Sequence, residues 1–429
     1  MAKKVIVIGG GPAGMIAAGR AAELGADVIL LEKMNKLGLK LSLTGKGKCN
    51  LTNTEPNILT FVEHYGKNGR FLINAFRKFF NKDLIKFFST LDLKLKEESG
   101  GRIYPSSHNS WLVVDALKKY LKINHVQIKL EYPVKELLHY KNEIGGIISD
   151  KGNIFADAVI VATGGASYPQ TGSTGDGYKL ARKTGHKVTS IYPSLVPLEI
   201  KFPFIHEQIG EGTTKELSGL KLKNVSVSIF NKEKKSAEEF GEFFFTDFGV
   251  DGSVVLKLSR KIKKEIIANE LKLFVDFKPG LTFEQLHNRI LREIKNNGSV
   301  CFNELMKLLL PQKFIKTFIN SSEIDKDKRI AEITKNEREK IVNLLKGFEF
   351  TVTKTRPLSE AIITSGGVEL NQIYQKTMES KIVSGLYFAG EVLDIDGDTG
   401  GYNLQAAFST GYLAGESAAK GIINKGMGR

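Results

Sequence analysis

Residues 9–14, "GGGPAG", place Gly9, Gly11 and Gly14 in the GxGxxG spacing, with Pro12 and Ala13 between the last two glycines. That spacing serves one chemistry, the close approach of backbone N–H groups to a pyrophosphate. Gly9 permits a tight turn, Gly11 removes the side chain that would hold a phosphate away, and Gly14 lets a helix pack close to a strand. The pyrophosphate then sits on a helix N-terminus, where free N–H groups and the helix dipole favour negative charge. Alone, such a motif is a weak signal. Here it follows the buried strand pattern "KVIVI", precedes the small-residue helix pattern "MIAAGRAAELGA", and leads to "DVILLEK", a second strand ending at Glu32 and Lys33. Glu32 stands where a carboxylate accepts hydrogen bonds from a ribose diol. A carboxylate there, in place of an arginine, disfavours a 2′-phosphate, which leaves FAD or NAD.

A second glycine-rich stretch, "SLTGKGKCNLTN" at 42–53, admits three chemistries by residue type: a phosphate loop, a redox thiol or a nucleic-acid contact. A phosphate loop needs GxxxxGK followed by Ser or Thr, but Lys46 precedes Gly47 and Lys48 precedes Cys49. Cys49 has no CxxC or CxxxxC partner, since the other cysteine is Cys301. That argues against a dithiol centre and for a reducing, cytoplasmic setting. No His/Cys/carboxylate cluster has metal spacing, and no Ser/His/Asp order is identifiable. Because the stretch follows the Glu32 strand, it reads as a flavin-lining loop. Gly45 and Gly47 allow close backbone approach, and Lys40, Thr44, Cys49 and Asn50 stand within reach of the cofactor.

Two distant segments select FAD. "ADAVIVATGG" (156–165) is a buried strand running into Ala162, Thr163, Gly164 and Gly165, and "GLYFAGE" (385–391) is a strand running into Gly390 and Glu391. Both resemble strand ends in flavoproteins with the glutathione-reductase type of FAD fold. The resemblance implies that these ends approach the cofactor, and that backbone near Val134, on a strand crossing at 128–134, touches adenine. "GGYNL" (400–404) opens a helix of small and apolar residues. Gly400 and Gly401 expose N–H donors at its start, followed by Tyr402, Asn403 and Leu404. Aimed at the flavin N1–C2=O edge, such donors favour negative charge on the reduced ring. No second GxGxxG follows a strand, so a separate NAD(P)H domain is not expected. A transiently bound NAD(P)H, or the substrate, is the expected electron source.

Flavin reduction of an activated C=C bond also needs a proton donor. "GRIYPSSHNSW" (101–111) offers Arg102, to hold an anionic or carbonyl group, and Tyr104, to donate a proton. His108 reads as a surface turn residue. Ser365, Gly366 and Gly367 either lie beside the flavin or simply turn the chain, and Glu379 is as readily structural as functional.

These residues need an α/β scaffold: a discontinuous Rossmann-like FAD domain at 1–192 and 357–429. Between its halves, β-rich runs ("PLEIKF", "NVSVSIF", "EFFFT", "LKLFVDF") predict a small β-barrel or sandwich at 193–281. The pattern then turns helical over 282–356, and "FTVTKTRP" (350–357) is expected to return the chain to the FAD domain. The 429 residues suffice for such an arrangement, and 41% hydrophobic with 25% charged content is ordinary for a globular protein. No apolar run is long enough for a membrane span. A formal net charge of +15 attracts polyanions, RNA among them, although a lysine-rich solubilising surface explains it more simply. "KLSRKIKK" (257–264) would put Lys257, Arg260, Lys261 and Lys264 on one helix face, and "KNEREK" (335–340) is a second basic run.

Taken together, "GKGKCNLTN", "GRIYPSS", "GEFFFTDFGVDGSVVLKLS", "ITSGGVELNQI" and "TMESKIVSGLYFAGEVLDIDGDTGGYNLQAAFSTG" resemble the BaiN-like (YhiN) flavoproteins along nearly the whole chain. The resemblance implies tightly bound FAD and an oxidoreductase. Activities attributed within that family are reduction of steroid enones, amine oxidation and reduction of uracil in ribosomal RNA. A small-molecule substrate is the leading expectation, RNA the alternative partner, and a flavin-binding sensor the third; oligomeric state is not legible. Lys46 and Lys48 stand where that family more often has glycine and arginine. Asp247, Asp251, Gly252 and Ser253 also depart from its pattern.

Overall fold

Val5, Ile6 and Val7 expose no surface, as an unbroken β-branched run requires of a strand covered on both faces. They form β1 (Lys4–Ile8), which leads into helix α1 (Pro12–Glu23) and strand β2 (Asp27–Leu31). Three further strands complete the sheet: β3 (Gln127–Lys129), β4 (Ala158–Val161) and β5 (Leu386–Phe388). The order is β5-β4-β1-β2-β3 and every pairing is parallel. This is the Rossmann arrangement, with the first glycine turn at the carboxyl end of the central strand. The computed structural model describes residues 3–202, 210–262 and 270–427.

The long helix α2 (Tyr402–Met427) lies along α1. A Cβ on Gly411 would stand 2.3 Å from the Ala13 carbonyl oxygen, and one on Gly415 would stand 2.3 Å from that of Ala17. The two backbones therefore touch, and the small residues of both helices are the condition for that contact.

Chain contacts divide the molecule into two compact units, Met1–Tyr192 with Ile362–Arg429, and Pro193–Ala361. The second unit is a closed six-stranded barrel in the order Leu198–Lys201, Gly249–Asp251, Lys234–Phe245, Lys221–Asn231, Leu271–Asp276 and Phe348–Thr355. Phe243, Phe245, Phe348 and Phe350 fill its core together with Phe314 and Phe318 from the helices. Three of those helices start as their sequences dictate. Thr282 and Thr334 form capping boxes with Gln285 and Glu337, and Pro311 separates Phe302–Leu309 from Gln312–Ser322.

Two expectations about strands change. Phe348–Thr355 does not carry the chain back to the first unit. It closes the barrel by pairing with both Leu271–Asp276 and Leu198–Lys201, because its alternating Phe348, Phe350 and Val352 are buried in the barrel core. The strand expected over 128–134 ends at Lys129, because Glu131 beyond it takes φ +53°, outside the extended region a ladder needs.

The basic helix Ser253–Lys261 presents a less open stripe than its spacing suggests: Lys257 and Lys261 both pair with Glu239, at 3.3 and 2.6 Å. Lys264 lies outside the described residues. In the second run, Glu337 pairs with Lys328 at 2.7 Å and Lys340 with Glu323.

His186 is a buried core residue. Its Nδ1 meets the Thr184 hydroxyl at 2.9 Å and its Nε2 meets that of Ser380 at 2.7 Å. Burial pulls its pKa from the ordinary 6.5 down to about 4. A base with a depressed folded-state pKa binds its proton more readily unfolded, so stability falls as pH drops from about 6.5 towards 4. Urea titrations across that window are expected to show this slope, and His186→Gln to flatten it; an unchanged slope would assign the acid lability to other groups.

Candidate functional site

The β1–α1 turn is shaped by what each glycine excludes. Gly9 has φ +107°, and a Cβ there would lie 2.5 Å from the Ala162 carbonyl oxygen; one on Gly14 would lie 1.8 Å from that of Gly9. Both positions are closed to any side chain. A Cβ on Gly11 would meet nothing within 4 Å. Gly11 faces open space, as a position must if a pyrophosphate is to approach the α1 N-terminus, where Pro12 occupies the first turn.

That space is a cleft of about 1460 Å³ including its mouth. Gly9, Gly11, Pro12 and Ala13 line it from the turn. Glu32 and Lys33 follow from the end of β2, Lys40 and Thr44 from the next segment, and Val134 from beyond β3. Ala162, Thr163 and Gly164 line it after β4, Gly390 and Glu391 after β5, and Asn403 and Leu404 from α2. A parallel sheet brings them together, because ligands bind beyond the carboxyl ends of its strands.

Glu32 is already engaged with backbone: Oε2 accepts from Gly10 N at 2.7 Å and Oε1 from Met34 N at 2.8 Å. Burial pushes its carboxyl up, while those two N–H groups act in the opposite direction. Lys33 Nζ sits 2.5 Å from Asp176 Oδ2 and 2.5 Å from Thr174 Oγ1. Burial alone would raise the Asp176 carboxyl, but Lys33 and Thr174 hold it below its ordinary range. Lys40 Nζ reaches Glu391 Oε2 at 2.6 Å and Ser167 Oγ at 2.7 Å, and Glu391 Oε1 also accepts from Thr364 N at 2.8 Å. The cleft is thus walled by cations neutralised on its rim and by backbone donors.

Several residues expected at the cofactor stand behind this wall. Gly14 packs helix on strand, and Gly165 abuts Thr364 and Glu391, where a Cβ would come within 2.4 and 2.5 Å of their side-chain oxygens. Gly401 backs onto the Thr52 carbonyl, 2.4 Å from where its Cβ would stand, with Gly400 beside the Tyr402 ring. Tyr402 itself is buried, with its phenol pushed up to about 12 by burial and by Asp398. In the 42–53 stretch Thr44 lines the cleft, but Gly45, Gly47, Cys49 and Asn50 do not. Gly45, Lys46, Gly47 and Cys49 all have positive φ, so the loop curls on itself. Cys49 is fully buried there, and burial raises its thiol to about 12. It is a core residue.

Arg102 and Tyr104 lie outside the cleft lining, on the strand Arg102–Pro105 at the centre of a three-stranded antiparallel sheet with Thr52–Asn53 and Leu95–Glu98. Tyr104 packs against the loop at Gly45. Burial raises its phenol, while the Arg102 charge draws it the other way, so it stays a protonated donor at neutral pH. The partly buried Arg102 side chain has no hydrogen-bond or ion-pair partner among the described residues. His108 Nε2 is bound to Glu98 Oε1 at 2.6 Å, which anchors the turn as its surface reading implies. Ser365 bonds Asp396 Oδ1 at 3.1 Å, and Glu379 accepts from Gly385 N at 2.8 Å. Glu379 holds a backbone turn, while Ser365, at the end of the strand Ile363–Ser365, is tied to the loop at Asp396.

Sequence reasoning passed over "TGSTGDG" (171–177), whose Gly172, Ser173 and Asp176 line the cleft opposite Lys33. Its glycine-rich composition before the helix Asp176–Lys183 was the available signal. Whether the residues suit a flavin dinucleotide can be tested on unmet hydrogen bonds. Buried Thr163 Oγ1, in the cleft lining, lacks a partner; so do Asn50 Oδ1 and Thr399 Oγ1, which lie outside that lining. Groups of that kind are rare unless a ligand satisfies them. With open space at Gly11 and a carboxylate at the end of β2, the residues fit FAD.

Comparison with known proteins agrees. The model of the family described as HI0933-like protein Rossmann domain matches residues 3–417. The chain belongs to the HI0933-like family. It is 33% identical over 97% of its length, and 99% of the relative's, to a 3-dehydro-bile acid delta(4,6)-reductase of Clostridium scindens. It is 29% identical to a ribosomal RNA dihydrouridine synthase of Haemophilus influenzae, over 97% of this chain and 98% of that one. In fold it is similar to a 3-ketosteroid delta1-dehydrogenase of Sterolibacterium denitrificans, with a TM-score of 0.52 at 14% identity, covering 98% of this chain and 100% of that one. Among the described residues no group of His, Cys, Asp and Glu could hold a metal, and no helix is long and apolar enough to cross a membrane.

For this HI0933-like chain the glycine geometry separates binding from folding. Gly11→Ala is expected to fold with an unchanged thermal midpoint but to bind FAD on the order of tenfold or more weakly, which is about 1.4 kcal/mol. Gly14→Ala is expected not to fold at all, because its Cβ would overlap the Gly9 carbonyl. Apo-protein melting with fluorescence titration of FAD checks both. Native thiol titration is expected to find Cys301 and to reach Cys49 only after denaturation; two fast thiols would contradict the burial.

Proposed function

We propose that this chain, an FAD-dependent oxidoreductase of the HI0933-like family, reduces an activated C=C bond of a small molecule, with NAD(P)H as a transient electron donor. The observation that carries this reading is the full-length similarity to the bile acid reductase. Bound FAD supplies hydride transfer to one carbon of such a bond. The chain's own residues provide the rest. Arg102, a charged donor without a protein partner, holds the carbonyl oxygen that polarises the bond and takes its growing negative charge. Tyr104, kept protonated, adds a second donor. Gly9, Gly11, Pro12, Ala13, Glu32 and Lys33 hold the adenosine and pyrophosphate side of the dinucleotide, with Val134 beside them. Lys40, Thr44, Ala162, Thr163, Gly164, Glu391, Asn403 and Leu404 hold the remainder, with Asn50 meeting it from the loop. A nicotinamide binds only in passing, because a single GxGxxG serves the whole sequence. Two free cysteines, one of them buried, suit a cytoplasmic enzyme.

A second reading, reduction of a uracil in RNA, rests on the dihydrouridine synthase relative and on the charge of +15. The charge is placed unexpectedly for it. The first unit carries 33 Lys and Arg against 23 Asp and Glu, and the second 29 against 24. An RNA would be drawn mainly to the flavin unit, not to the insert.

The experiment is anaerobic. Holoenzyme is bleached with NADPH or NADH, and a 3-oxo-Δ4 steroid is then added. Reoxidation at a substrate-dependent rate is expected, and Arg102→Gln is expected to slow it roughly 10- to 100-fold, the loss of one charged hydrogen bond. A flavin that stays reduced, together with dihydrouridine missing from the ribosomal RNA of deletion cells, would replace this reading with the second. No bleaching by either nicotinamide would remove the donor.

A further inference from the structure

Outside the cleft lining, one pair of ionisable side chains has the geometry of a proton carrier, and sequence reasoning assigned it nothing. His64 ends the helix Ile58–Glu63, and Asp398 lies in the loop "DIDGDTGG" that leads into α2. Though 334 positions apart in sequence, they meet in a contact in which His64 Nδ1 stands 3.0 Å from Asp398 Oδ2. The bond is reinforced by backbone, since Asp398 N donates to the His64 carbonyl at 3.0 Å. The imidazole also stacks on Tyr402, with ring centroids 3.9 Å apart and planes 20° from parallel. Carboxylate and ring together fix both tautomer and orientation: Nδ1–H points to Asp398, and the edge bearing Nε2 points away. The side chain retains 35% of its exposure, and Nε2 has no partner among the described residues.

The pair is tied to the cleft. Asn403, which lines it, donates to the Gly397 and Asp398 carbonyls at 2.9 and 3.3 Å and accepts from Gly397 N at 2.7 Å. Ile395 of the same loop also lines the cleft. Tyr65, next to His64, donates from its phenol to the Tyr402 carbonyl at 2.7 Å. Arg102 lies near enough for its charge to act on Tyr402, as does the carboxylate of Glu55. A histidine fixed by a carboxylate, open at Nε2 and sharing a neighbour with an unpaired arginine is an arrangement for proton transfer.

We propose that His64 is the proton donor of the reduction and that Asp398 is its positioning residue. This rests on the reading above. Reduction of a C=C bond adds a hydride to one carbon, supplied by the bound cofactor, and leaves an electron pair conjugated with the carbonyl held by Arg102. The Nε2–H bond of the imidazolium breaks, that electron pair forms a C–H bond at the second carbon, and neutral imidazole remains. A proton from water restores the imidazolium. Tyr104 then serves only as a hydrogen-bond donor.

The test separates the two half-reactions in stopped flow, with NADPH as donor and a 3-oxo-Δ4 steroid as acceptor. His64→Gln is expected to be bleached at the wild-type rate but reoxidised on the order of 100-fold more slowly. Asp398→Asn should be slowed roughly tenfold or more, the effect of losing a group that orients its neighbour. A readout independent of turnover is the ¹⁵N spectrum of the imidazoles, in which Asp398→Asn is expected to shift the His64 tautomer balance away from Nδ1–H. Wild-type reoxidation with an equally fast His64→Gln would overturn the proposal and leave the reduction standing. If wild-type enzyme is not reoxidised by any enone, the underlying reading fails instead. Should His64→Gln lose FAD, Asp398→Asn, with the same shape, decides: slowed reoxidation with an altered tautomer supports the proposal, and an unaltered rate overturns it.

Discussion

The first unit depends on one close contact, backbone against backbone at the carboxyl end of β1. Gly14 lies on the Gly9 carbonyl, Gly9 on the Ala162 carbonyl, and Gly411 and Gly415 on the carbonyls of α1. Each contact removes the space a side chain would need. Together they bring the ends of β1 and β4 and the two helices into one seam. What the seam leaves open is the volume in front of Gly11. Binding space and packing are therefore two sides of one constraint, and a methyl group added at neighbouring glycines has opposite consequences. Those at the seam cannot accept it, and the one at the cleft can.

Charge is arranged on the same principle. Arg20 and Glu416 pair at 2.6 Å across α1 and α2, and Glu416 also meets Lys420 at 2.6 Å. Burial works against the carboxylate, but those cations hold Glu416 down to about 2. On the cleft rim Lys40 pairs with Glu391 at 2.6 Å and Lys33 with Asp176 at 2.5 Å. Such pairs contribute modestly to stability. The two on the rim also hold Lys33, Lys40, Asp176 and Glu391 in place along the cleft wall.

The parts of the fold visible in the sequence were those set by local rules. "KVIVI" followed by GxGxxG specified β1, the turn and α1, because period, glycine positions and strand burial all act within a few residues. The threonines that cap two helices, and Pro311 between two others, are equally local. Phe348–Thr355 escaped because its role is set by which strands it pairs with, 73 (Val275↔Phe348) to 157 (Leu198↔Thr355) positions away, and no short-range pattern distinguishes a closing strand from a returning one. The "GKGKC" loop misled for a related reason. Glycines beside lysines suggest a ligand, yet the run of left-handed residues at Gly45, Lys46, Gly47 and Cys49 turns the loop inward and buries its thiol. Asp398 sits within the conspicuous "DIDGDTGGYNL" stretch, but nothing in sequence links it to His64, and only the fold brings them together.

Arg102 is best understood against its fellow arginines. Arg356 is satisfied by Glu199 at 2.8 Å and Glu360 at 2.6 Å, and stacks over Phe248. Arg20 is satisfied by Glu23 and Glu416. Both are part-buried, and both show what this chain does with a guanidinium it means to keep in place. Arg102 has comparable cover but no carboxylate. Its cross-strand neighbours are Asn53 and Glu98, and Glu98 is already engaged by Lys96 and His108. Removing a cation from water without a partner is unfavourable, and a chain with 47 acidic residues does not lack groups to pair with it. An uncompensated charge of this kind lowers the free energy of whatever anion or developing oxyanion is brought to it, and does so more strongly than an arginine whose field a carboxylate already cancels. The missing partner at Arg102 thus parallels the missing side chain at Gly11, where a Cβ would meet nothing within 4 Å.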